Sequence, residues 1–410
     1  MKSIKDSVHD HIEVTGVAQA LVDTPTVQRL RHVRQLGTVT LVYPSANHTR
    51  FEHSLGVYHL ANEALGHLGI EGQQAERVRA AALLHDVGHA PFSHNVEDVV
   101  HRHTGKWHDD VHELLEKGEV ARVLAENGLN TDRIADLVAG DGKLGQLVSG
   151  ELDVDRMDYL VRDAHHTGVP YGTIDHERLV RELEFVDGEL VLREGNVQTA
   201  ESLLVARALM TPTVYGHHTA RISKTMLRRA SERLLEATDT SAEELRRMDD
   251  HDLIVGLRNC GATQDMAHRL TYRDLYKRAV WTEMPDVPED LLDRDHDAIR
   301  EDERAIAAEA EVDPAEVIVD VPSRPEIKES TSRVMVNGEV RPLGDQSTLV
   351  SALRAVQHDQ WRLGVYAPAE VSERVGHAAS RVLGLDIDGT LVNETRPGVH
   401  TTLDDFQEAP

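Results

Sequence analysis

Leu83-Leu84-His85-Asp86-Val87-Gly88-His89 sets the apolar end of a helix, Ala80 to Leu84, directly against a histidine and an aspartate. Gly88 is expected to cap that helix at its C-terminus. Alone, the His-Asp pair is weak evidence, since a satisfied core histidine is commoner than a metal ligand. Its neighbours in sequence change the balance. Upstream, Arg50-Phe51-Glu52-His53-Ser54-Leu55-Gly56 opens a pattern in which Val57, Leu60, Ala61, Ala64, Leu65 and Leu68 recur at intervals of three and four, the spacing of one helix face. Downstream, Asp153-Val154-Asp155-Arg156-Met157-Asp158-Tyr159 supplies carboxylates at the start of another helical run. Two imidazoles and two carboxylates suffice for one first-row metal site with positions left for water and phosphate. Two histidines shift the preference from magnesium or calcium to iron, manganese, cobalt, nickel or zinc.

Working outward, 410 residues at 40% hydrophobic can bury a large core and divide into two or three units. Apolar runs are short and no charged-then-apolar stretch opens the chain, which argues against secretion and membrane spanning. Cys260 is the only cysteine, so neither an intramolecular disulfide nor a cysteine-based metal site is available. A cytoplasmic protein is expected. The net charge is -27, and eight lysines stand against 36 arginines. Such an acidic, lysine-poor surface repels itself in dilute salt and is screened at molar salt, where the Debye length shrinks to roughly 3 Å. A halophilic source is expected, and duplex nucleic acid is an unlikely partner because the long-range field opposes polyanions.

The periodicity predicts a mainly α protein: a helical core over 1–235, a helical extension with an acidic, Ala-rich linker over 236–312, a smaller α+β unit over 313–384, and a polar tail over 385–410. One hairpin is expected inside the core, at Phe185 to Leu192, where Asp187-Gly188 suits a two-residue turn. Another is expected in the smaller unit around Asn337-Gly338.

The segments Arg50 to Gly56, His85 to His94 and Asp153 to Gly168 resemble the three signature segments of the HD-domain deoxynucleoside triphosphate triphosphohydrolases, which include sterile-alpha-motif-linked members. The resemblance covers about residues 1–290, and no sterile alpha motif is detected. It implies an HD-domain helical core and cleavage of a dNTP to deoxynucleoside and inorganic triphosphate, with water attacking the α-phosphorus. The metal quartet it implies is His53, His85, Asp86 and Asp155, with magnesium accompanying the substrate phosphates.

By the same resemblance His94 protonates the leaving 5′-oxygen and Glu97 supports it, three residues on, where a carboxylate orients an imidazole and raises its pKa. A further phosphate-facing histidine is expected at His108, with His112 as the competing assignment. Arg50, Arg156 and Arg207 are expected to neutralise the triphosphate. Lysine is usual in the family where Arg156 stands. Asp155, Tyr159 and Asp163 fall at i, i+4 and i+8, one helix face. The resemblance places the latter two at the deoxyribose, with Gln35 and Leu36 near the nucleoside, and sets Tyr215 under the sugar where it leaves no room for a 2′-hydroxyl. His217 follows two residues later. Pro212, which interrupts this helix, and His218, where lysine is usual, depart from the family pattern.

Near the N-terminus Asp23, Gln28 and Arg31 match the family's guanine-reading activator site, with Lys2, Arg273 and Lys277 as triphosphate-facing partners. Such sites lie between subunits, so a homotetramer is implied. Leu385-Asp386-Ile387-Asp388-Gly389-Thr390-Leu391 looks like the nucleophile loop of haloacid-dehalogenase-type phosphatases, but too little chain follows Asp388 to build the parallel sheet that nucleophile needs. It is read as a strand end and turn. The leading function is therefore dNTP triphosphohydrolase. An HD phosphohydrolase acting on another nucleotide or phosphoester stands second, and a catalytically weak nucleotide-sensing protein third.

Overall fold

The computed structural model describes residues 2–325, 331–387 and 390–392. Two compact units divide it: Met1–Asp274 with Lys328–Ser351, and Leu275–Ile327 with Ala352–Pro410. No helix among the described residues is long and apolar enough to cross a membrane.

The first unit is helical around the sequence segments that carry the chemistry. Helix α1 (Arg50–Leu68) starts where the Glu52 carboxylate accepts from the Thr49 backbone N–H at 2.7 Å and from its hydroxyl at 2.9 Å. It ends at Gly69, whose φ of +64° is the left-handed conformation glycine adopts without cost. Helix α2 (Gly72–Leu84) packs against α1 among other elements and buries Ala75, Val78 and the run Ala80 to Leu84. Each fully buried leucine or valine contributes roughly 1.5–3 kcal/mol, so this contact fixes the helix end that presents His85. Helix α3 (Glu97–Thr104) follows an irregular loop. Helix α4 (Val154–Thr167) begins at Asp153, whose carboxylate accepts from the Arg156 N–H at 2.7 Å, and packs back on α1.

Gly88 does not cap α2. The helix gives way at His85, and a Cβ on Gly88 would sit 2.0 Å from the His108 carbonyl oxygen. Close backbone approach, not a left-handed cap, requires glycine there.

Two hairpins occur where Asp187-Gly188 and Asn337-Gly338 predict them. β3 (Leu183–Val186) pairs with β4 (Glu189–Leu192) across Asp187 and Gly188 at φ +51° and +92°. β7 (Arg333–Val336) pairs with β8 (Glu339–Pro342) across Asn337 and Gly338 at φ +54° and +77°. The second hairpin returns to the first unit, where β4 and β7 run parallel and make one sheet in the order β3-β4-β7-β8. An N-terminal hairpin, β1 (Lys2–Asp6) with β2 (Asp10–Val14), precedes the helices and has no counterpart in the sequence reading. After helix α5 (Val197–Met210), residues Thr211–Tyr215 form a wider π-helical turn around Pro212, and helix α6 (His218–Ala237) starts afresh.

In the second unit, β5 (Lys277–Glu283), β9 (Arg362–Ala367) and β6 (Ile318–Asp320) form an antiparallel sheet in the order β5-β9-β6. Helix α7 (His296–Ala310) and helix α8 (Ser372–Leu383) pack against each other, and Ile306, Ala307 and Ala379 join Val280, Leu363 and Val365 in one core. The acidic, Ala-rich stretch is thus a packed helix over 296–310. Asp388 and Gly389 of the haloacid-dehalogenase-like sequence, and the tail after Val392, lie outside the described residues. Beside them the Leu391 carbonyl accepts from the Trp281 N–H at 2.8 Å.

Candidate metal centre and substrate face

His53 projects from the first turn of α1, His85 and Asp86 from the loop that ends α2, and Asp155 from the first turn of α4. Donor atoms of His53, His85 and Asp86 lie within 4.8 Å of one another. His53 Nε2 is 3.3 Å from His85 Nε2, 2.8 Å from Asp155 Oδ1 and 3.8 Å from Asp86 Oδ2. His85 Nε2 is 3.4 Å from Asp86 Oδ1 and 3.8 Å from Asp155 Oδ1. A metal ion bonded at about 2.0–2.2 Å to nitrogen and oxygen holds adjacent ligand atoms about 3–3.4 Å apart, and these separations bracket that range.

The far side of each ring strengthens the fit. His53 Nδ1 faces Asp158 Oδ2 at 2.7 Å, and His85 Nδ1 faces the Ala82 carbonyl at 2.8 Å. Both acceptors demand a proton on Nδ1, which leaves both Nε2 atoms to share one cation. Burial opposes a charge on His53, but the Asp155 and Asp158 carboxylates, with Asp86, outweigh it and push the imidazole up to about 10. The centre calls for positive charge. Asp86 is likewise held well below the usual carboxylate range: burial works against this, and Arg50, His85 and His89 prevail. Arg50 is buried and donates to both Asp86 oxygens, at 3.1 and 3.0 Å, and to Ser93 Oγ at 2.8 Å. It is thus bound to a carboxylate of the centre.

Next to this centre, His94 Nδ1 meets Glu97 Oε2 at 2.6 Å, and His108 Nδ1 hydrogen-bonds the other Glu97 oxygen. His89 completes the group. Its ring stacks on His108 with centroids 4.2 Å apart, and its Nε2 lies 3.2 Å from Asp86 Oδ1. Of the two histidines left open by the sequence, His108 joins Glu97 while His112 faces Asp132 and Asp136 at 3.6 and 3.9 Å. The expectation that Glu97 raises the pKa of His94 is corrected. Partial loss of hydration, with Arg50 and His108, outweighs Glu97 and holds the half-exposed His94 ring below its ordinary value. His108 is the ring raised by the shared carboxylate, against its own burial. Glu97 is held far below the usual range, since the hydrogen bonds from His108 and His94 overcome its burial.

Further along α4, Asp163 Oδ1 accepts from His48 at 2.7 Å and Oδ2 from the Tyr215 hydroxyl at 2.9 Å. Tyr159 and Tyr215 meet edge to face, centroids 6.3 Å apart. Burial pushes the Tyr159 hydroxyl up to about 12, partly offset by the Arg207 and Arg156 charges, so Arg207 belongs to this end of the site. Arg156 donates to the Glu151 carbonyl at 2.8 Å. Gln35 is buried beside His48, its backbone N–H bonded to the His48 carbonyl at 3.1 Å, and its Oε1 has no hydrogen-bond partner among the described residues. Leu36, half-buried, follows it. His217 caps α6, accepts from the Thr219 N–H at 3.2 Å and stacks on His218.

At the N-terminus Lys2 pairs with Asp23, Gln28 donates to the Val22 carbonyl at 2.7 Å, and Arg31 donates to Gln28 Oε1 at 2.8 Å while lying 3.6 Å over the Phe51 ring. These four side chains gather in one place. Arg273 donates to the Leu41 carbonyl at 2.8 Å, whereas Lys277 opens β5 in the other unit.

Sequence reasoning missed Asp158, His89 and His48. Asp158 had a signal: it shares with Arg162 the i, i+4 face beside that of Asp155, and Gly56 is obligatory because a Cβ there would lie 1.8 Å from Asp158 Oδ1.

Comparison with known families agrees with this geometry. An HD domain model matches residues 50–163, and a model of the HD associated region matches residues 174–394. The chain belongs to the HD-domain family. This HD-domain protein is 33% identical over 379 residues to an uncharacterized protein of Methanocaldococcus jannaschii, across 90% of this chain and 80% of that one. It is 32% identical over 273 residues to the human deoxynucleoside triphosphate triphosphohydrolase SAMHD1, across 55% of this chain and 44% of that one, so it spans under half of that relative's length. A crystal structure described as a phosphohydrolase from Bacteroides thetaiotaomicron superposes with a TM-score of 0.72 at 27% identity, covering 90% of this chain and 100% of that one. A hypothetical protein from Aquifex aeolicus superposes with a TM-score of 0.75, also at 27% identity, over 92% of this chain and 99% of that one. At this level the chain is an HD-domain phosphohydrolase whose donor set suits a divalent metal.

Proposed function

We propose that this protein hydrolyses deoxynucleoside triphosphates to deoxynucleoside and inorganic triphosphate. The observation that carries this reading is the single stripe on α4. Asp155 stands at the metal donors and Asp163 at the Tyr215 and His48 contacts, eight residues on, which is about 12 Å of helix rise. That length suits a phosphate, a sugar and the start of a base laid along one rigid element.

His53, His85, Asp86 and Asp155 would hold the metal, a divalent iron, manganese, cobalt, nickel or zinc ion, with magnesium on the substrate phosphates. The bound ion supplies Lewis-acid polarisation of a phosphoryl oxygen and of water. Arg50, Arg156, Arg207 and the protonated His108 neutralise the triphosphate. Water attacks the α-phosphorus, the bond to the 5′-oxygen breaks, and the electron pair leaves with that oxygen. His94 is the solvent-accessible member of the Glu97 pair, and the negative charge of bound phosphate raises its pKa so that it can donate the proton. Tyr215, fixed by Asp163, occupies the volume of a 2′-hydroxyl. Gln35, with its unpaired buried oxygen, Leu36, Tyr159 and His217 complete the nucleoside side.

Activation by a guanine nucleotide at Asp23, Gln28 and Arg31, in a homotetramer, belongs to the same proposal, with Arg273 facing the triphosphate. Lys2 holds Asp23 in an ion pair, so a guanine must displace the ammonium before its N1 and N2 donors reach the carboxylate. A second reading, hydrolysis of another nucleotide or phosphoester, is favoured by one observation: after the Pro212 turn, His218, where lysine is usual in the family, stacks on His217. Product analysis separates the two. In concentrated salt with manganese and each dNTP or NTP, nucleoside plus triphosphate supports the proposal, and monophosphate or pyrophosphate refutes it.

A further inference from the structure

The turn of the N-terminal hairpin carries a histidine to the back of the metal centre. His9 Nε2 lies 2.6 Å from Asp158 Oδ1, and the other oxygen of that carboxylate lies 2.7 Å from His53 Nδ1. His9 and Asp158 are as buried as His53, with side-chain exposures of 2%, 0% and 0%. Asp158 accepts twice more from Arg162, Nε at 2.8 Å and a terminal nitrogen at 3.0 Å, so each oxygen takes two donors. An ionised carboxylate only accepts, which requires an N–H at His9 Nε2 and at His53 Nδ1. That tautomer of His53 is the one that turns Nε2 toward the other donors. The turn itself is braced: Asp6 accepts from Arg162 at 2.9 and 3.2 Å, and from the Val8 and His9 backbone N–H groups, each at 2.9 Å.

We propose that His9 is a positioning residue for the metal centre, acting through Asp158 to hold the His53 ring in its ligating orientation. Without the His9 donor, Asp158 Oδ1 keeps only its Arg162 contact, and the carboxylate is held less firmly in line with His53. The inference rests on His53 being a metal ligand. Partners of ligating histidines typically change metal affinity by about 10–100-fold when removed. A donor at the same reach should restore it.

The test is cobalt(II) titration of the full-length, metal-stripped protein, read by d–d absorption and by chelator competition, for the unmodified protein, His9→Met, His9→Gln and His53→Ala. The expected result is about 10–100-fold weaker binding for His9→Met, near-normal binding for His9→Gln, whose amide nitrogen replaces Nε2, and loss of the site in His53→Ala. If His53→Ala keeps full cobalt affinity, the metal reading itself fails. If His53→Ala loses cobalt while His9→Met binds like the unmodified protein, or His9→Gln is as weak as His9→Met, the positioning role is overturned. Ring-nitrogen NMR shifts of the unmodified protein decide the matter should a variant not fold: a proton on His9 Nε2 is expected, and a ring protonated on Nδ1 alone refutes the proposal.

Discussion

Gly56→Ala adds one methyl group at the contact of α1 with α4. Its Cβ would stand 1.8 Å from Asp158 Oδ1 and 2.5 Å from an Arg162 terminal nitrogen, and must retreat to at least 3.4 Å for an ordinary contact. Neither neighbour is the loose end of a flexible side chain. Asp158 is locked by four donors and Arg162 is fully buried. Relief therefore breaks at least one hydrogen bond to a charged group, about 1.5–3 kcal/mol, and spreads the helices, about 1–3 kcal/mol of overpacking strain. The sum, about 2.5–6 kcal/mol, spans the usual cost of disrupting a buried ion pair. At about 2–4 °C per kcal/mol for a large domain, calorimetry should show a melting temperature lower by roughly 5–24 °C. Because His53 hangs from Asp158, cobalt affinity should fall with it. A Gly56→Ala protein that melts within a degree of the parent and binds cobalt equally would refute the close packing of Asp158 on α1.

Asp155→Ala removes an anionic donor that is partly exposed, so the fold should survive while turnover drops at least about a hundredfold; near-normal turnover with stoichiometric metal would remove Asp155 from the centre. Tyr215→Ala should raise the rate on GTP relative to dGTP, and equal rates on the two by the unmodified protein would show that Tyr215 does not exclude a 2′-hydroxyl. Asp23→Ala should abolish stimulation of dTTP hydrolysis by GTP without loss of bound metal; stimulation that persists would reduce Asp23 to its contact with Lys2. Burial, aided by His48, pushes the His166 ring down from 6.5 to about 4. The folded state therefore favours the neutral ring, so its contribution to stability is complete above pH 6.5 and is lost as pH falls toward 4. His166→Gln should flatten that part of the curve of melting temperature against pH; an unchanged slope would assign the acid sensitivity elsewhere.

What the sequence disclosed followed its local periodicities. The clustering of His53, His85, Asp86 and Asp155 as candidate donors was legible because each sits at the end of a helix whose apolar face is written every three or four residues, and because the α4 stripe reduces to arithmetic on 155, 159 and 163. The two glycine-turn hairpins were legible for a similar reason, since Asp187-Gly188 and Asn337-Gly338 favour left-handed backbone at both turn positions. Pairing of β4 with β7 joins Val191 to Arg333, and nothing local to either residue encodes that partner. The N-terminal hairpin escaped because its strands are short and mostly polar, with only Ile12 and Val14 fully buried among their hydrophobic residues.

The contacts behind the metal donors were hidden for a different reason. His9, Asp158 and Arg162 are joined by charge and hydrogen bonding across 149 positions in sequence, and a buried polar network leaves no hydrophobic rhythm. Besides the i, i+4 spacing of Asp158 and Arg162, its local trace is steric. Gly56 has an ordinary helical φ, so backbone freedom does not call for glycine there, yet no side chain fits. A glycine inside a helix costs about 1 kcal/mol relative to alanine, and one placed three residues after a candidate metal-ligating histidine marks where a second layer of charge presses against the backbone. The same logic applies to Gly88, whose missing Cβ makes room for the His108 carbonyl beside the loop that carries His85 and Asp86.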